Sequence, residues 1–237
     1  DKEWTPNTTD IQHKRYQFGQ QGNVALWNLL KLANALYPLV EEAEPLEEII
    51  DAYKKMYSIR YLEMMKSKLG LELDNEKDLK IVEQLELGLQ LTETDMTIFF
   101  RGLSNLSKKL VVSEKDDLSF LDSVKNAFYK IEEVKGEVLE FWKDWIGKYL
   151  ARLQKEELSD IQRKQKMNLV NPKYVLRNYM SQIAIEAADK GDYTVIDELY
   201  FLLKKPYDEQ IDQEKWFAKR PEWARTKVGC SMLSCSS

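Results

Sequence analysis

Residues 171–210 constrain the fold most, because their apolar residues recur at steps of three and four between recognisable helix start and stop signals. Asn171 is a favourable helix-capping residue, and Pro172 fits a first turn, where its missing N–H is not needed. Gly191 is expected to end this helix in a left-handed conformation; Asp192 then opens a second helix, which Pro206 stops. The pattern predicts a helical hairpin with two facing apolar stripes. Its inward residues are expected to be Leu176, Tyr179, Met180, Ile183, Ala184, Ala187, Ala188, Val195, Ile196, Leu199, Leu202 and Leu203.

Helical spacing in the rest of the chain predicts an all-α fold. Glycine is sparse, with nine in 237 residues, and neither strand alternation nor a repeat period is present. We expect residues 1–21 to be an ordered loop, residues 22–210 to be one helical domain, and residues 211–237 to be a C-terminal tail. Inside the domain, residues 111–117 are predicted as a linker and residues 156–167 as a charged segment. Helices before the hairpin are predicted over residues 24–38 (capped by Asn23), 44–69, 75–91, 92–106, 118–131 and 138–153.

Charge and composition argue against several classes of function. The formal charge of −5 and the pI near 5.3 leave no basic surface for nucleic acid or an anionic membrane. The most apolar window, residues 24–40, is interrupted by Asn28, Lys31, Asn34 and Pro38, so no membrane span is predicted. One histidine and two cysteines are too few for a four-ligand zinc site of these residues, a disulfide-stapled core or a ferritin-like di-iron bundle.

The sequence contains no recognisable nucleotide site. It contains neither the Gly-x-Gly-x-x-Gly nor the Gly-x-x-x-x-Gly-Lys-Ser/Thr phosphate-binding loop. It also has no equivalent of the His-Arg-Asp, strand-borne Lys or Asp-Phe-Gly motifs of protein kinases. Adjacent carboxylates such as Glu41 and Glu42 point in different directions on a helix and are typical of solvated faces. We therefore assign no catalytic, cofactor-binding or metal-binding residue within this chain.

Five other side chains were weighed as functional candidates. His13 could act as a general base, but no motif places a nucleophile beside it, and an exposed loop histidine is favoured. Arg177 and Asn178 could grip phosphate, although a buried hydrogen bond or ion pair to a neighbouring loop is favoured. Trp142 and Trp145 lie on a predicted amphipathic helix without a basic stripe, so they indicate core packing and not base stacking.

Cys230 and Cys235 lie in a small, polar tail, where we expect exposed thiols, whereas free cysteines are usually buried. An exposed thiol near a terminus favours redox chemistry or a disulfide. The alternative is a pair of chance surface thiols, and the spacing alone does not decide between the two.

Three separated blocks of the sequence carry a family resemblance. The first is Thr5-Pro-Asn-Thr-Thr-Asp10 with Arg15-Tyr-Gln-Phe-Gly and Leu26-Trp-Asn-Leu-Leu-Lys-Leu-Ala33. The second is Asp95-Met-Thr-Ile-Phe-Phe-Arg101, and the third comprises residues 171–210 and the Ser-Cys-Ser-Ser ending. In content and order they resemble the selenoprotein O family, whereas residues 108–155 and 229–233 have no close match to it. The resemblance implies a protein-kinase-like fold and transfer of AMP from ATP to protein hydroxyl groups.

The resemblance also implies which part of that fold is present. The chain would be the helical C-lobe portion, beginning just after the metal-binding Asp-Tyr-Gly motif, with residues 5–21 as the remainder of the activation segment. The glycine-rich loop, the Lys–Glu pair, the catalytic loop and the metal ligands would lie upstream. The full-length protein would use ATP with Mg²⁺ or Mn²⁺ to modify protein substrates, and its missing N-terminal half would be a partner of this chain. A cytoplasmic location is expected for a bacterial member and a mitochondrial one for a eukaryotic member.

The same resemblance bears on the cysteines. It implies that Cys235 occupies the position that some members fill with selenocysteine, and that this tail is redox-active. The disulfide partner would be Cys230 or a cysteine upstream of this chain, because residues 1–21 contain none.

The leading hypothesis is therefore the C-terminal part of a protein adenylyltransferase with a redox-active tail, inactive without its upstream half. The alternative is a non-enzymatic helical interaction module, which the missing nucleotide motifs favour. A third hypothesis is a thiol-redox protein in which Cys230 and Cys235 form and break a local disulfide.

Overall fold

The computed structural model describes residues 2–5, 14–112 and 117–230 of the 237-residue chain. Within these ranges the regular elements are all helices, apart from an isolated β-bridge between Thr94 and Phe128, so the predicted all-α class is confirmed. No helix in the described ranges is long and apolar enough to cross a membrane. The α-helices are α1 (Gln21–Val40), α2 (Glu44–Leu69), α3 (Asp78–Leu91), α4 (Met96–Leu103), α5 (Glu137–Leu153), α6 (Asp160–Val170), α7 (Asn178–Ala188) and α8 (Thr194–Leu203).

The chain divides into two compact units, and the boundary lies inside α2. The described residues up to Met64 belong to the first unit, and Met65–Cys230 form the second. The division falls within residues 22–210, which the sequence analysis treats as one domain.

The first unit is built from α1 and most of α2. α1 begins at Gln21, so the predicted cap at Asn23 is wrong; the Asn23 side chain instead donates to Gln20 Oε1 at 2.7 Å. Gly22 allows the two helices to approach closely, since a Cβ there would lie 2.6 Å from the Tyr57 ring. The hydroxyl of Tyr53 donates to the Gly22 carbonyl oxygen at 3.1 Å.

The ends of α1 and α2 lie close to their predicted stop signals. Pro38 lies in the last turn of α1, which ends at Val40 with Glu41 in the left-handed conformation. α2 has the predicted bounds, and Gly70 follows it with a φ of +68°. Little of this part of the chain is buried, because Ile50 is the one buried residue among the described residues up to Met64.

The second unit packs around α5. The Trp145 ring of this helix meets that of Trp142 edge to face at a centroid separation of 5.7 Å and stacks on that of Tyr149 at 5.1 Å. The ring of Phe99 on α4 lies 5.3 Å from that of Trp142. The indole N–H of Trp145 donates to the Ile81 carbonyl oxygen of α3 at 3.0 Å. The predicted core role of Trp142 and Trp145 is confirmed, because both are buried.

A buried ion network fixes the end of α5 to the turn between α2 and α3. Arg152 donates to Asp78 Oδ1 and to Glu156 Oε1, each at 2.6 Å. Glu156 also accepts the backbone N–H of Glu72 at 3.0 Å. All three charges are buried, and the buried Lys66 ammonium lies 3.7 Å from Asp78 as a second cation. The two carboxylates are thus neutralised by two cations.

Residues 118–131 form short 3₁₀ turns instead of the predicted α-helix. The backbone N–H of Asp95 donates to the Ala127 carbonyl, and that of Tyr129 donates to the Glu93 carbonyl. These bonds to the chain ahead of α4 compete with helical ones. The apolar residues of this segment recur at steps that imitate a helical stripe, so the sequence pattern alone predicts a helix. The buried ones are Phe120, Leu121, Val124, Ala127 and Phe128.

The first helix of the predicted hairpin starts at Asn178, seven residues after the predicted cap at Asn171. Asn171 instead ends α6 in an extended conformation, as expected for a residue before proline. The N–H groups of Lys173 and Tyr174 both donate to the Pro206 carbonyl oxygen and hold this stretch against the end of the hairpin. The end of the helix at Gly191 is confirmed by its φ of +80°.

Candidate functional site

The side chains of the second and third resemblance blocks meet in the second unit. We call this group the motif cluster, and it joins both ends of α4, the extended stretch before α7 and the turn after α8. Its members are Asp95, Arg101, Asn171, Lys173, Arg177, Tyr207 and Glu209.

Asp95 has two roles in the cluster. It is the N-cap of α4, and its Oδ1 accepts the backbone N–H of Ile98 at 3.0 Å. Both of its oxygens also accept from the Arg177 guanidinium, with Nη2 to Oδ1 at 2.9 Å. Burial disfavours the Arg177 cation, but the Asp95 hydrogen bonds outweigh that effect, and the pKa of Arg177 is raised. The predicted structural role of Arg177 is therefore confirmed.

Arg101 is buried and uses its guanidinium to tie three segments together. Nη1 donates to the Asn171 carbonyl at 2.9 Å and to the Asn168 carbonyl at 3.0 Å. Nη2 donates to the Tyr207 carbonyl at 3.0 Å and to Glu209 at 2.7 Å. A planar guanidinium can serve several acceptors in this way, whereas an ammonium group is a compact point charge.

Glu209 connects Arg101 to Lys173. Lys173 Nζ donates to Glu209 Oε2 at 2.6 Å and also contacts Glu214. Burial opposes ionisation of Glu209, but the hydrogen bonds from Lys173 and Arg101 outweigh it and hold the pKa of this carboxyl below its usual range. The cations of the cluster are thus neutralised by carboxylates of the same chain.

This arrangement suits positioning better than phosphate binding. Arg101 and Arg177, which could have bound phosphate oxygens, are both occupied by protein acceptors. In the first unit the guanidinium of Arg15 lies 3.6 Å from the centroid of the Trp27 ring. Asn178 donates to the Cys230 carbonyl at 3.3 Å, so it too serves a structural contact.

Cys230 is seated against α7. Its thiol belongs to the apolar cluster formed by the hairpin and the C-terminal segment, and only 5% of the residue is exposed. Gly229 makes the preceding turn with a φ of +83°, a conformation that disfavours other residues. An ion pair between Lys227 and Glu186 holds the same turn to α7.

The predicted exposure of the Cys230 thiol is therefore wrong. Burial raises the pKa of the Cys230 thiol, so its reactive thiolate form is disfavoured. Cys230 forms no disulfide with any described residue. Cys235 and His13 lie outside the described residues.

Comparison with known proteins places these blocks in context. The sequence model of the family described as "Protein adenylyltransferase SelO" matches residues 1–204. A relative from Flavobacterium johnsoniae, named protein nucleotidyltransferase YdiU, is 58% identical over 237 residues, which are all of this chain and 44% of the relative. The chain belongs to the SelO family. The predicted membership of the selenoprotein O family is confirmed.

Other SelO relatives show the same coverage. Proteins of the same name from Rhodopirellula baltica and Aromatoleum aromaticum are 46% and 45% identical, and all of this chain matches 45% and 44% of their lengths. The chain thus spans less than half the length of these relatives, and the match falls on their C-terminal half.

The SelO family name implies a nucleotide and a metal ion. The described residues contain no group of three or more His, Cys, Asp or Glu residues placed to hold a metal ion. The arginines of the motif cluster are occupied as described above. The described part of this chain does not fit Mg-ATP, so we derive no chemical step from it.

Sequence reasoning did not identify the partners in the motif cluster. It predicted a helix over residues 92–106, which includes Asp95, and a buried hydrogen bond or ion pair at Arg177, but it did not connect the two residues. A usable signal was present at Arg101, because a charge that directly follows Phe99 and Phe100 on a short apolar helix is expected to need buried partners.

Proposed function

We propose that this chain is the C-terminal part of a protein adenylyltransferase that transfers AMP from ATP to Ser, Thr or Tyr hydroxyl groups of proteins. The observation that carries the proposal is the family match over residues 1–204, supported by relatives that are named protein nucleotidyltransferases. In such a transfer the substrate hydroxyl loses its proton and its oxygen attacks the α-phosphorus of ATP. The bond between this phosphorus and the oxygen that bridges the α- and β-phosphates breaks, and pyrophosphate leaves with that oxygen.

In this proposal the chain is the helical C-lobe portion of a kinase-like fold. ATP and Mg²⁺ or Mn²⁺ would be bound by the part of the protein that precedes this chain, which agrees with the occupied cations of the motif cluster. The motif cluster would then act as a rigid support. Because the relatives are bacterial, we also propose a cytoplasmic location.

Label transfer tests the activity. We expect the full-length protein, incubated with a bacterial lysate and Mg²⁺ or Mn²⁺, to incorporate label from α-³²P-ATP into proteins and none from γ-³²P-ATP. Transfer of the γ label would indicate a kinase, and no incorporation from either nucleotide would contradict the proposal.

Calorimetry tests where the nucleotide binds. We expect the isolated 237-residue chain to show a helical circular dichroism spectrum and no heat of binding for ATP with Mg²⁺ or Mn²⁺. Metal-dependent binding by the isolated chain would show that the site lies here, and Arg15, Arg101 and Arg177 would then be the first residues to substitute.

A non-enzymatic interaction module is the second candidate. The same occupied cations favour it, because Arg101 and Arg177 already bind protein acceptors. The label-transfer experiment separates the two, since an interaction module incorporates no label at all.

We further propose that the tail is redox-active through Cys235, with Cys230 or an upstream cysteine as its partner. Exchange with oxidised glutathione would convert two protein thiols into one disulfide while the glutathione disulfide is reduced to two thiols. Since the Cys230 thiol is buried, its pairing requires release of the turn at Gly229. Gly229→Ala should therefore accelerate formation of a disulfide between Cys230 and Cys235, measured by mass spectrometry. If an upstream cysteine is the partner instead, Cys235 should be oxidised at the same rate with and without this substitution.

A further inference from the structure

A groove between α3 and α5, which we call the α3–α5 groove, concentrates positive charge on a chain that is acidic as a whole. It holds a cavity of about 360 Å³, and five of the nine described residues that line the cavity are basic while none of the nine is acidic. Lys77 and Lys80 line it at the start of α3, and Lys148, Arg152 and Lys155 line it along the second half of α5 and just past its end. The formal charge of −5 gives no hint of this local excess.

Three of these five cations lack an acidic partner among the described residues. Arg152 is committed to the buried ion network at the end of α5, and Lys148 pairs with a carboxylate of its own helix. Lys77, Lys80 and Lys155 are exposed and form no ion pair with any residue that the structure describes. Like charges around one cavity repel each other, and an anion in the cavity would relieve that repulsion.

Gln84 adds a neutral group to the same cavity. It follows Lys77 and Lys80 at helical spacing on one side of α3. Its Oε1 is buried and has no hydrogen-bond partner among the described residues. A half-turn of the amide exchanges this oxygen for Nε2, which donates hydrogen bonds and suits an anion. The groove thus offers three ammonium groups and an amide to a negative ligand.

The lining of the groove indicates a small anion and not a protein segment. An extended peptide is normally held by backbone hydrogen bonds, whereas α3 and α5 use their backbone groups within their own helices. A cavity of about 360 Å³ lies within the range of about 300–1,000 Å³ that is typical of small-molecule sites. Lysine ammonium groups are compact point charges that bind phosphate and carboxylate oxygens alike. Three such groups match a ligand that carries three or more negative charges.

We propose that the α3–α5 groove binds a compact anion that carries its three or more negative charges on phosphate or carboxylate groups. The proposal goes beyond AMP transfer, because it uses no residue of the motif cluster and no step of that reaction. Metal-bound ATP is a poor ligand for the groove, since Mg²⁺ or Mn²⁺ offsets two charges of the triphosphate and occupies its oxygens. The expected absence of heat with ATP and these metals is therefore unaffected.

Calorimetric titration with pyrophosphate and with citrate tests the proposal and separates the two kinds of anion. The buffer is passed over a chelating resin and kept at low ionic strength, because salt screens exposed charges. Lys80→Gln with Lys155→Gln removes two of the three unpaired cations. Lys55→Gln with Lys164→Gln is the matched control, since it removes the same charge from two exposed helical lysines that do not line the cavity. Glutamine keeps much of the aliphatic stem, so both double variants are expected to fold.

We expect the native chain to bind at least one of the two anions, and we expect the groove variant to bind it at least about fivefold more weakly, because two exposed ion pairs are lost. The control variant should bind as the native chain does. Tighter binding of pyrophosphate would assign the groove to phosphates, and tighter binding of citrate would assign it to carboxylates. Equal weakening in both double variants would overturn the proposal, because binding would then follow net charge alone. Absence of heat with both anions, or heat that disappears in the full-length protein, would overturn it as well.

Discussion

Asp95 makes two contacts at once, a helix cap and an ion pair, and a neutral side chain cannot provide both. As the N-cap of α4 it satisfies a backbone N–H that the helix itself leaves unpaired. As the partner of Arg177 it neutralises a largely buried guanidinium. Removing a buried partner costs more than the pair contributed, because it leaves the remaining charge without compensation.

We expect Asp95→Ala to lower the free energy of unfolding by about 3–5 kcal/mol, because it loses both the cap and the neutralising charge. Asp95→Asn should cost less, since Asn is an equally good capping residue and only the charge is lost. Urea unfolding of the isolated chain, followed by circular dichroism, measures both values. Equal losses in the two variants would show that the cap contributes nothing.

Because the Cys230 thiol is buried, we expect the free energy of unfolding to fall at alkaline pH. Its folded pKa is raised by burial, so the thiol's contribution is fully present below the unfolded pKa and is lost as pH rises through the folded pKa. Between about pH 8 and pH 10, a window around the ordinary thiol pKa, the unfolding free energy should fall more for the native chain than for Cys230→Ala. Urea titrations at both pH values measure this difference. Parallel losses in the two proteins would contradict a buried thiol.

These residues also show what the sequence could reveal about the site. The structural role of Arg177 was predictable because a charge beside an apolar stripe needs a partner. The identity of that partner was not predictable, since Asp95 lies far away along the chain. Cys230 was wrongly expected to be exposed, because its burial depends on the turn at Gly229 and on packing against α7, and neither is visible in a short polar tail.

At the scale of elements, α3 and α5 pack closely because α3 has no side chain at position 88. A Cβ on Gly88 would lie 2.8 Å from Phe141 and 2.9 Å from Trp142, whereas a Cβ on Gly147 of α5 would meet nothing within 4 Å. Both glycines lie inside helices, where alanine is otherwise preferred.

We therefore expect opposite effects of the same substitution at the two positions. Gly147→Ala should stabilise the chain by up to about 1 kcal/mol through helix propensity. Gly88→Ala should destabilise it by about 1–3 kcal/mol, because overpacking against Trp142 outweighs the propensity gain. Thermal unfolding compares the two variants with the native chain. A stabilising Gly88→Ala would mean that the ring moves aside at little cost.

Elements with strong local signals were predictable, and those shaped by distant contacts were not. The bounds of α2 were predicted to the residue, and those of α5 to within one residue at its start. The segment 118–131 was misassigned because part of its backbone bonds to residues ahead of α4: the Ala127 carbonyl accepts from Asp95, and the Tyr129 N–H donates to Glu93. α6 was described only as charged, although Ser159 and Gln162 form a capping box that the sequence displays.

At the scale of the whole molecule, burial is distributed unequally between the two units. Ile50 is the one buried residue among the described residues up to Met64, whereas the second unit contains the rest of the described core. α2 crosses from one unit to the other, with Met65 and Leu69 buried at its end and Ile49 and Met56 exposed earlier. Local stability follows buried apolar contacts, so the two ends of a single helix are expected to differ.

Hydrogen exchange of the isolated chain tests this inequality. We expect amides of α1 and of the first turns of α2 to exchange through openings at least about 2 kcal/mol less costly than those of α5, because few buried contacts must break there. The last turn of α2 is the internal control, since Met65 and Leu69 should give it protection like that of α5. Protection of α1 equal to that of α5 would contradict the prediction and would mean that the first unit is enclosed without its upstream partner. Protection of α1 that rises only in the full-length protein would instead follow from enclosure by the preceding residues.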